Sequence, residues 1–201
     1  MTACSGTYYS ALEGVGIHKR DLLVDRVEDA RDSQEGAQEQ FQSALDQFGS
    51  VVGLEETDLK KAYDQLDSEY QKSAEAAEDV STRIDDVESV ADALFDEWDD
   101  ELDEYDNKEL RDASRKQLKE TRKQYETMLA SMREAESSME PVLTVFHDNV
   151  LFLKHNLNAQ AIGSLEGEFA SLKLDIEGLI AKMNESIEQS NAFIANMGGA
   201  S

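Results

Sequence analysis

Residues 59–105, LKKAYDQLDSEYQKSAEAAEDVSTRIDDVESVADALFDEWDDELDEY, carry a ladder that alternates steps of four and three. Its rungs are Leu59, Tyr63, Leu66, Tyr70, Ser73, Ala77, Val80, Ile84, Val87, Ala91, Leu94, Trp98, Glu101 and Tyr105. Only Ser73 and Glu101 are not apolar or aromatic. A repeat averaging 3.5 residues keeps one seam of a helix turned toward a partner, the spacing of coiled coils and long bundle helices. A helix of this length would rise about 70 Å.

Three further stretches repeat the pattern. Leu23, Val27, Ala30, Gln34, Ala37, Phe41, Ala44 and Phe48 share one seam, and Leu118, Tyr125, Met132, Met139, Phe146 and Leu153 another, with Met128, Leu129, Val142, Leu143 and Val150 beside it. Ile162, Leu165, Phe169, Leu172, Ile176, Leu179 and Met183 form the last, resumed at Phe193 and Met197. No window alternates apolar and polar residues as a strand would. The breaks are legible too. Gly49-Ser50-Val51-Val52-Gly53 should end the first helix, Thr57 and Asp58 should open the second, and Asn107 should cap the third. Asn156 to Asn158 precede the fourth, and Gly198-Gly199 close it. Pro141 either kinks the third helix or starts a new one after Ser138, because proline lacks a donor and clashes with the preceding turn. These signals predict helices at about 18–48, 58–105, 109–155 with a kink at Pro141, and 160–197.

Charge adds a pairing rule. Between Asp64 and Glu109 stand nineteen acids and three bases, whereas Leu110 to Arg133 holds seven bases and three acids. A turn near Asn107 would lay Arg111, Arg115, Lys116, Lys119, Arg122 and Lys123 antiparallel to the acidic run Asp96 to Asp106. Exposed ion pairs contribute under about 1 kcal/mol each, so they select partner and register while the apolar seams stabilise. The expected fold is all-α: an elongated antiparallel helical bundle or coiled coil of about four long helices. It would form a single domain over residues 16–198, behind a leading segment 1–15.

Composition removes several classes of function. A formal net charge of −25 in 201 residues disfavours nucleic acid and anionic lipid surfaces, which draw on clustered Lys and Arg. No stretch reaches the roughly 18 apolar residues that a membrane helix requires. The positions three before His18, His147 and His155 are Val15, Thr144 and Phe152, so the Glu-x-x-His pairs of a di-metal bundle are missing. Phosphate loops, Cys-x-x-Cys, Gly-x-Ser-x-Gly and His-Glu-x-x-His are missing as well. The acidic run at 95–104 lacks the glycine-hinged loop of an EF-hand. The reading is therefore of a protein that is not an enzyme, with no cofactor, no metal site and no catalytic residue.

Two segments depart from a uniform charged helix. Gly16 to Arg26 is basic and apolar in an acidic chain; His18, Lys19, Arg20 and Arg26 there are candidate partner-binding residues, or a first helical turn packed on the bundle. Phe146 to Gln160 is rich in apolar and amide groups. His147 and His155 stand eight residues apart, about 80° around a helix, and with Asn156 and Asn158 they either face a partner or fill the packing. The single cysteine, Cys4, follows Met1-Thr2-Ala3 and precedes the polar Ser5-Gly6-Thr7-Tyr8-Tyr9-Ser10. That string resembles the end of a bacterial lipoprotein signal, where the cysteine is acylated and becomes the mature N-terminus, and the polar run would serve as a tether. A lone cysteine reads equally as an unpaired thiol in a cytosolic protein.

The run from Gly16 to Arg31, Ala-Leu-Phe-Asp-Glu-Trp at 93–98, and Asp-Asn-Val-Leu-Phe-Leu-Lys-His-Asn-Leu-Asn-Ala-Gln-Ala-Ile-Gly at 148–163 together resemble a family of bacterial lipoproteins that carry a domain of unknown function. The likeness spans nearly the whole chain. It implies a signal peptide ending in a lipobox and makes Cys4 the lipidation site. The expected protein is a non-enzymatic, lipid-anchored rod of the cell envelope, periplasmic and held at the outer membrane. It would touch the membrane only through the anchor and bind other envelope proteins or itself, but not nucleic acid. The alternative is a soluble cytoplasmic coiled-coil adaptor or assembly factor.

Overall fold

A computed structural model describes residues 18–52, 59–156 and 159–198. They form helices α1 (Lys19–Val52), α2 (Leu59–Glu101), α3 (Lys108–Ser137), α4 (Met139–His155) and α5 (Ala159–Gly198), with a 3-10 turn at Leu102–Glu104 and, among the described residues, no strand. The protein is an all-α helical bundle. Cys4, the segment after it, the Thr57 cap, Asn158 and the side chain of Ile162 lie outside the described residues.

The chain divides into two compact units. The first takes residues 18–32, 82–133 and 186–198, the second residues 33–81 and 134–185. In the first unit Lys19 of α1 meets Glu97 of α2, Asp99 and Asp85 of α2 meet Arg122 and Arg133 of α3, Tyr125 of α3 meets Phe193 of α5, and Asn191 of α5 meets Arg31 of α1. Residue numbers rise on one helix as they fall on the other between α2 and α3 and, through Arg20–Met197 and Arg31–Asn191, between α1 and α5, so these pairs are antiparallel, and the four kinds of contact close a ring. The second unit repeats this order with Ser33–Asp79 and Gln40–Glu69 between α1 and α2, Tyr70–Phe146 between α2 and α4, and Gln38–Asn184 between α1 and α5.

The ladders are the core. All eight stations of the α1 seam are buried, Gln34 included. So are Leu66, Ser73, Val80, Ile84, Val87, Ala91 and Leu94 of α2, and Leu118, Tyr125, Met132, Met139, Phe146 and Leu153 of α3 and α4. In α5 the seam runs unbroken from Met183 to Phe193 through Ser186 and Ser190, both fully buried. The Ser190 hydroxyl donates to the Ser186 carbonyl at 2.9 Å, and a hydroxyl satisfied by its own helix can sit in a core at little cost.

Four local features follow from the backbone. Asn107 caps α3: its Oδ1 accepts from the amides of Glu109 at 2.9 Å and Leu110 at 3.2 Å, satisfying two of the free N–H groups of a first turn. Pro141 begins a new helix: the Ser138 amide closes a tight turn on the Ala135 carbonyl at 3.1 Å, and proline occupies the third position of α4, where an N–H has no helical partner. The 3-10 turn winds more tightly than an α-helix, so Leu102 is buried while the ladder positions Glu101 and Tyr105 are exposed. Finally, α1 continues through Gly49 and Ser50 to Val52. Gly49 serves as clearance here, since a Cβ on it would stand 3.1 Å from the Phe169 ring, which stacks on Phe48 at 5.7 Å.

Candidate functional site

The basic N-terminal cluster is largely engaged within the first unit. Lys19, 9% exposed, bonds Glu97 at 2.7 Å; an Arg20 Nη2 donates to the Met197 carbonyl; Arg26 pairs with Asp29 on its own helix at 2.8 Å. His18 is exposed, and its carbonyl accepts from the Leu22 amide at 3.1 Å. Lys19 and Arg20 therefore tie the start of α1 to α2 and to the end of α5.

Arg20 also lines a surface groove of about 560 Å³ with Leu94, Glu97, Trp98, Tyr105 and Leu110. Trp98 forms one side and donates its Nε1–H to Ser114 Oγ at 2.8 Å, while Tyr105 and Leu110 are 38% and 57% exposed. Two aromatics on one seam, next to a helix break, were the available sequence signal. The ladder treats Trp98 and Tyr105 as core stations and so hides the groove.

The histidines part company. His147 is half-buried and stacks on Tyr70, rings 4.9 Å apart, beside the edge-on pair of Tyr70 and Phe146 at 6.0 Å. His155 is exposed in the last turn of α4. Asn156 closes that helix, donating its backbone amide to the Leu153 carbonyl and Nδ2 to the Phe152 carbonyl. Leu151 and Phe152, 39% and 40% exposed, are the apolar groups that α4 shows to solvent.

The charge pairing is only partly of the expected kind. Arg122 reaches across to Asp99 at 2.9 Å and lies over the Phe95 ring at 5.1 Å, and Arg133 bridges to both Asp85 and Glu88. Arg115 and Lys116 instead pair along α3 itself, with Asp112 at 3.5 Å and Glu120 at 3.8 Å. Pairs three or four apart on one helix are neighbours whatever lies opposite.

Packing shifts the titrations of Tyr125 and Glu69. Burial pushes the Tyr125 phenol upward, and Glu88 and Asp92 add to this while Arg133 opposes it. At Glu69 burial raises the pKa, but hydrogen bonds from Lys72, Gln40 and Ser43 and the Lys72 charge outweigh it, so the carboxyl lies below its ordinary range. A depressed carboxylate contributes stability that is present above its unfolded-state value and is lost as pH falls through the folded one. Denaturant titrations should accordingly show Glu69→Gln costing about 1–2 kcal/mol at pH 7, with a gap to the unsubstituted protein that closes below pH 4.5, the ordinary glutamate value.

Among the described residues no group of three His, Cys, Asp or Glu side chains is placed to hold a metal ion, and no helix is long and apolar enough to cross a membrane. Residues 8–197 match a family model described as protein of unknown function (DUF2959). Neither a curated protein nor a solved structure matches. The buried seams, the capped α2–α3 turn and the aromatic groove all lie within the matched span, and the chain belongs to the DUF2959 family.

Proposed function

We propose that this protein is a non-enzymatic, lipid-anchored component of the bacterial cell envelope whose helical bundle binds other proteins in the periplasm, with its anchor in the outer membrane. The supporting observation is Cys4, the single cysteine, placed behind Met1-Thr2-Ala3 and ahead of a polar run that ends before α1 begins at Lys19. One acyl chain binds a membrane only marginally, whereas a diacylglyceryl thioether with a further amide-linked chain holds firmly. The bundle adds surfaces suited to protein partners: the groove beside Trp98, open to solvent, and the Leu151–Phe152 step on α4. Exposed apolar groups rimmed by charge are the usual mark of protein recognition.

The test is mass spectrometry and membrane fractionation of protein expressed from its complete gene. The expected result is a diacylglyceryl adduct on Cys4, with the protein in the membrane fraction. Cys4→Ala should move essentially all of it to the soluble fraction. An unmodified Cys4 thiol in a soluble wild-type protein would sink the anchor and favour the cytoplasmic adaptor.

A further inference from the structure

In the first unit the paired ends of α2 and α3 display opposite charge on neighbouring stripes. Asp92, Asp96 and Asp99 of α2 follow one another at steps of four and three, and all are exposed, as are Asp100 beside them and Asp103 in the 3-10 turn that follows. On α3, Lys116, Lys119 and Lys123 recur at steps of three and four and are exposed as well, with Arg115 alongside. In a chain of net charge −25 this is the concentrated basic surface. Acid and base open onto one face: Asp99 lines the same shallow groove as Arg115, Lys116, Lys119 and Lys123. The stripes also lie at one height, because Phe95 meets Tyr125 at 5.3 Å, Asp99 meets Arg122 and Trp98 meets Ser114.

We infer that this face docks a second copy of the chain, acidic stripe on basic stripe, about a two-fold axis running along the hairpin between α2 and α3. Rotation about that axis exchanges the helices, so α2 of the second copy lies over α3 of the first and α3 over α2. It leaves height along the hairpin unchanged, so Asp96, Asp99, Asp100 and Asp103 of one copy arrive opposite the stretch from Arg115 to Lys123 of the other. An axis across the hairpin would set acid on acid, and like charges at close range select against it. A closed two-fold contact satisfies both stripes at once. Lys119 and Lys123 are available for it, since neither makes an ion pair with the described residues.

Net repulsion does not forbid the contact. At 0.1 M salt the Debye length is about 10 Å, so the distant charges of each copy are screened while stripes in contact are not. Nucleic acid and anionic lipid fit less well, because Asp112, Glu120 and Glu126 interrupt the basic stripe and would meet phosphates. About twelve residues on two helices cover roughly 400 Å² per copy, at the small end for protein contacts, so the dimer is expected to be weak, with a Kd near about 100 µM. This inference rests on the protein-binding reading only in naming the partner. Its failure would leave the Cys4 experiment untouched.

Sedimentation velocity of the full chain over about 10–500 µM, at 0.1 M and 1 M salt, tests it. Dimer should form at 0.1 M and weaken at least tenfold at 1 M. Reversing the basic stripe (Lys116→Glu, Lys119→Glu, Lys123→Glu), or the acidic one (Asp96→Lys, Asp100→Lys, Asp103→Lys), should each abolish the homodimer. An equimolar mixture of the two variants should form a heterodimer at least tenfold tighter than wild type, a gain that no misfolded variant can give. A monomeric wild type at 500 µM, variants that dimerise like wild type, or a mixture that does not associate would each overturn it. So would a monomer whose stripe lysines bind vesicles of anionic lipid.

Discussion

Phe146→Ala should cost about 4 kcal/mol and lower the melting temperature by roughly 10–15 °C, as followed by helical circular dichroism. Phe146 is fully buried and meets Phe48 edge-on at 6.1 Å and Tyr70 edge-on at 6.0 Å. Truncation removes the ring's transfer energy, roughly 1.5–3 kcal/mol. It also leaves a hole that its neighbours cannot close, since Phe48 is held on its other face by the stacked Phe169. The two edge-on contacts add about 0.5–1.5 kcal/mol each. Phe146→Leu separates these effects: it keeps most of the volume and should cost less than half as much. A double-mutant cycle with Phe48→Leu should return a coupling of about 1 kcal/mol. A cost under 1 kcal/mol for Phe146→Ala would mean that this aromatic cluster does not hold the second unit together.

Phe146 also shows how far the sequence can be read. Its place on a seven-residue ladder predicts burial, and the structure buries it. The Asn107 cap was legible for the same kind of reason: a short acceptor side chain beside free amides acts locally, whatever packs around it. The tertiary setting decides the rest. The stretch Gly49 to Gly53 marks the end of α1, which runs to Val52, but that the missing side chain of Gly49 makes room for Phe169, a residue 120 positions away, is something no local pattern shows. Glu101 and Tyr105 keep the heptad step on paper, yet the 3-10 turn changes the winding there and turns Leu102 inward instead. Ser186 and Ser190 broke the apolar pattern, so a pattern built on hydrophobicity stepped over two buried stations.

The candidate surface residues were harder still. Lys19, Arg20 and Arg26 stand out in sequence as bases in an acidic chain, but charge alone does not say whether a partner lies in the same molecule. Lys19 finds Glu97, Arg20 a backbone carbonyl at the end of α5, and Arg26 its own helix. His147 and His155 were linked by helical spacing, which is blind to the neighbouring helix; Tyr70 covers the first and leaves the second in solvent. The groove beside Trp98 went unread for the converse reason, since an aromatic at a seam position looks like core until the end of the helix is known.

The serines at 186 and 190 make Phe193 the second residue whose loss should be large. Within residues 186–198 the buried side chains of α5 are Ser186, Ser190, Phe193 and Met197, so with two of the four stations taken by serine, Phe193 is the one ring that α5 buries in the first unit. Phe193 is 2% exposed and lies 6.4 Å from Tyr125, itself edge-on to Phe95. Phe193→Ala should cost about 3 kcal/mol, less than Phe146→Ala, because the ring borders a surface groove with Gln124, Thr127 and Asn196 into which water can follow. Losing the ring also strips apolar cover from Tyr125, whose phenol burial pushes upward, so the substituted protein should ionise Tyr125 at lower pH than wild type in an absorbance titration. Hydrogen exchange should place the loss of protection at 186–198 and at the facing turns of α3 before the rest of the first unit. Uniform loss across α5, or none at Tyr125, would show that the ring is not the wedge between these helices.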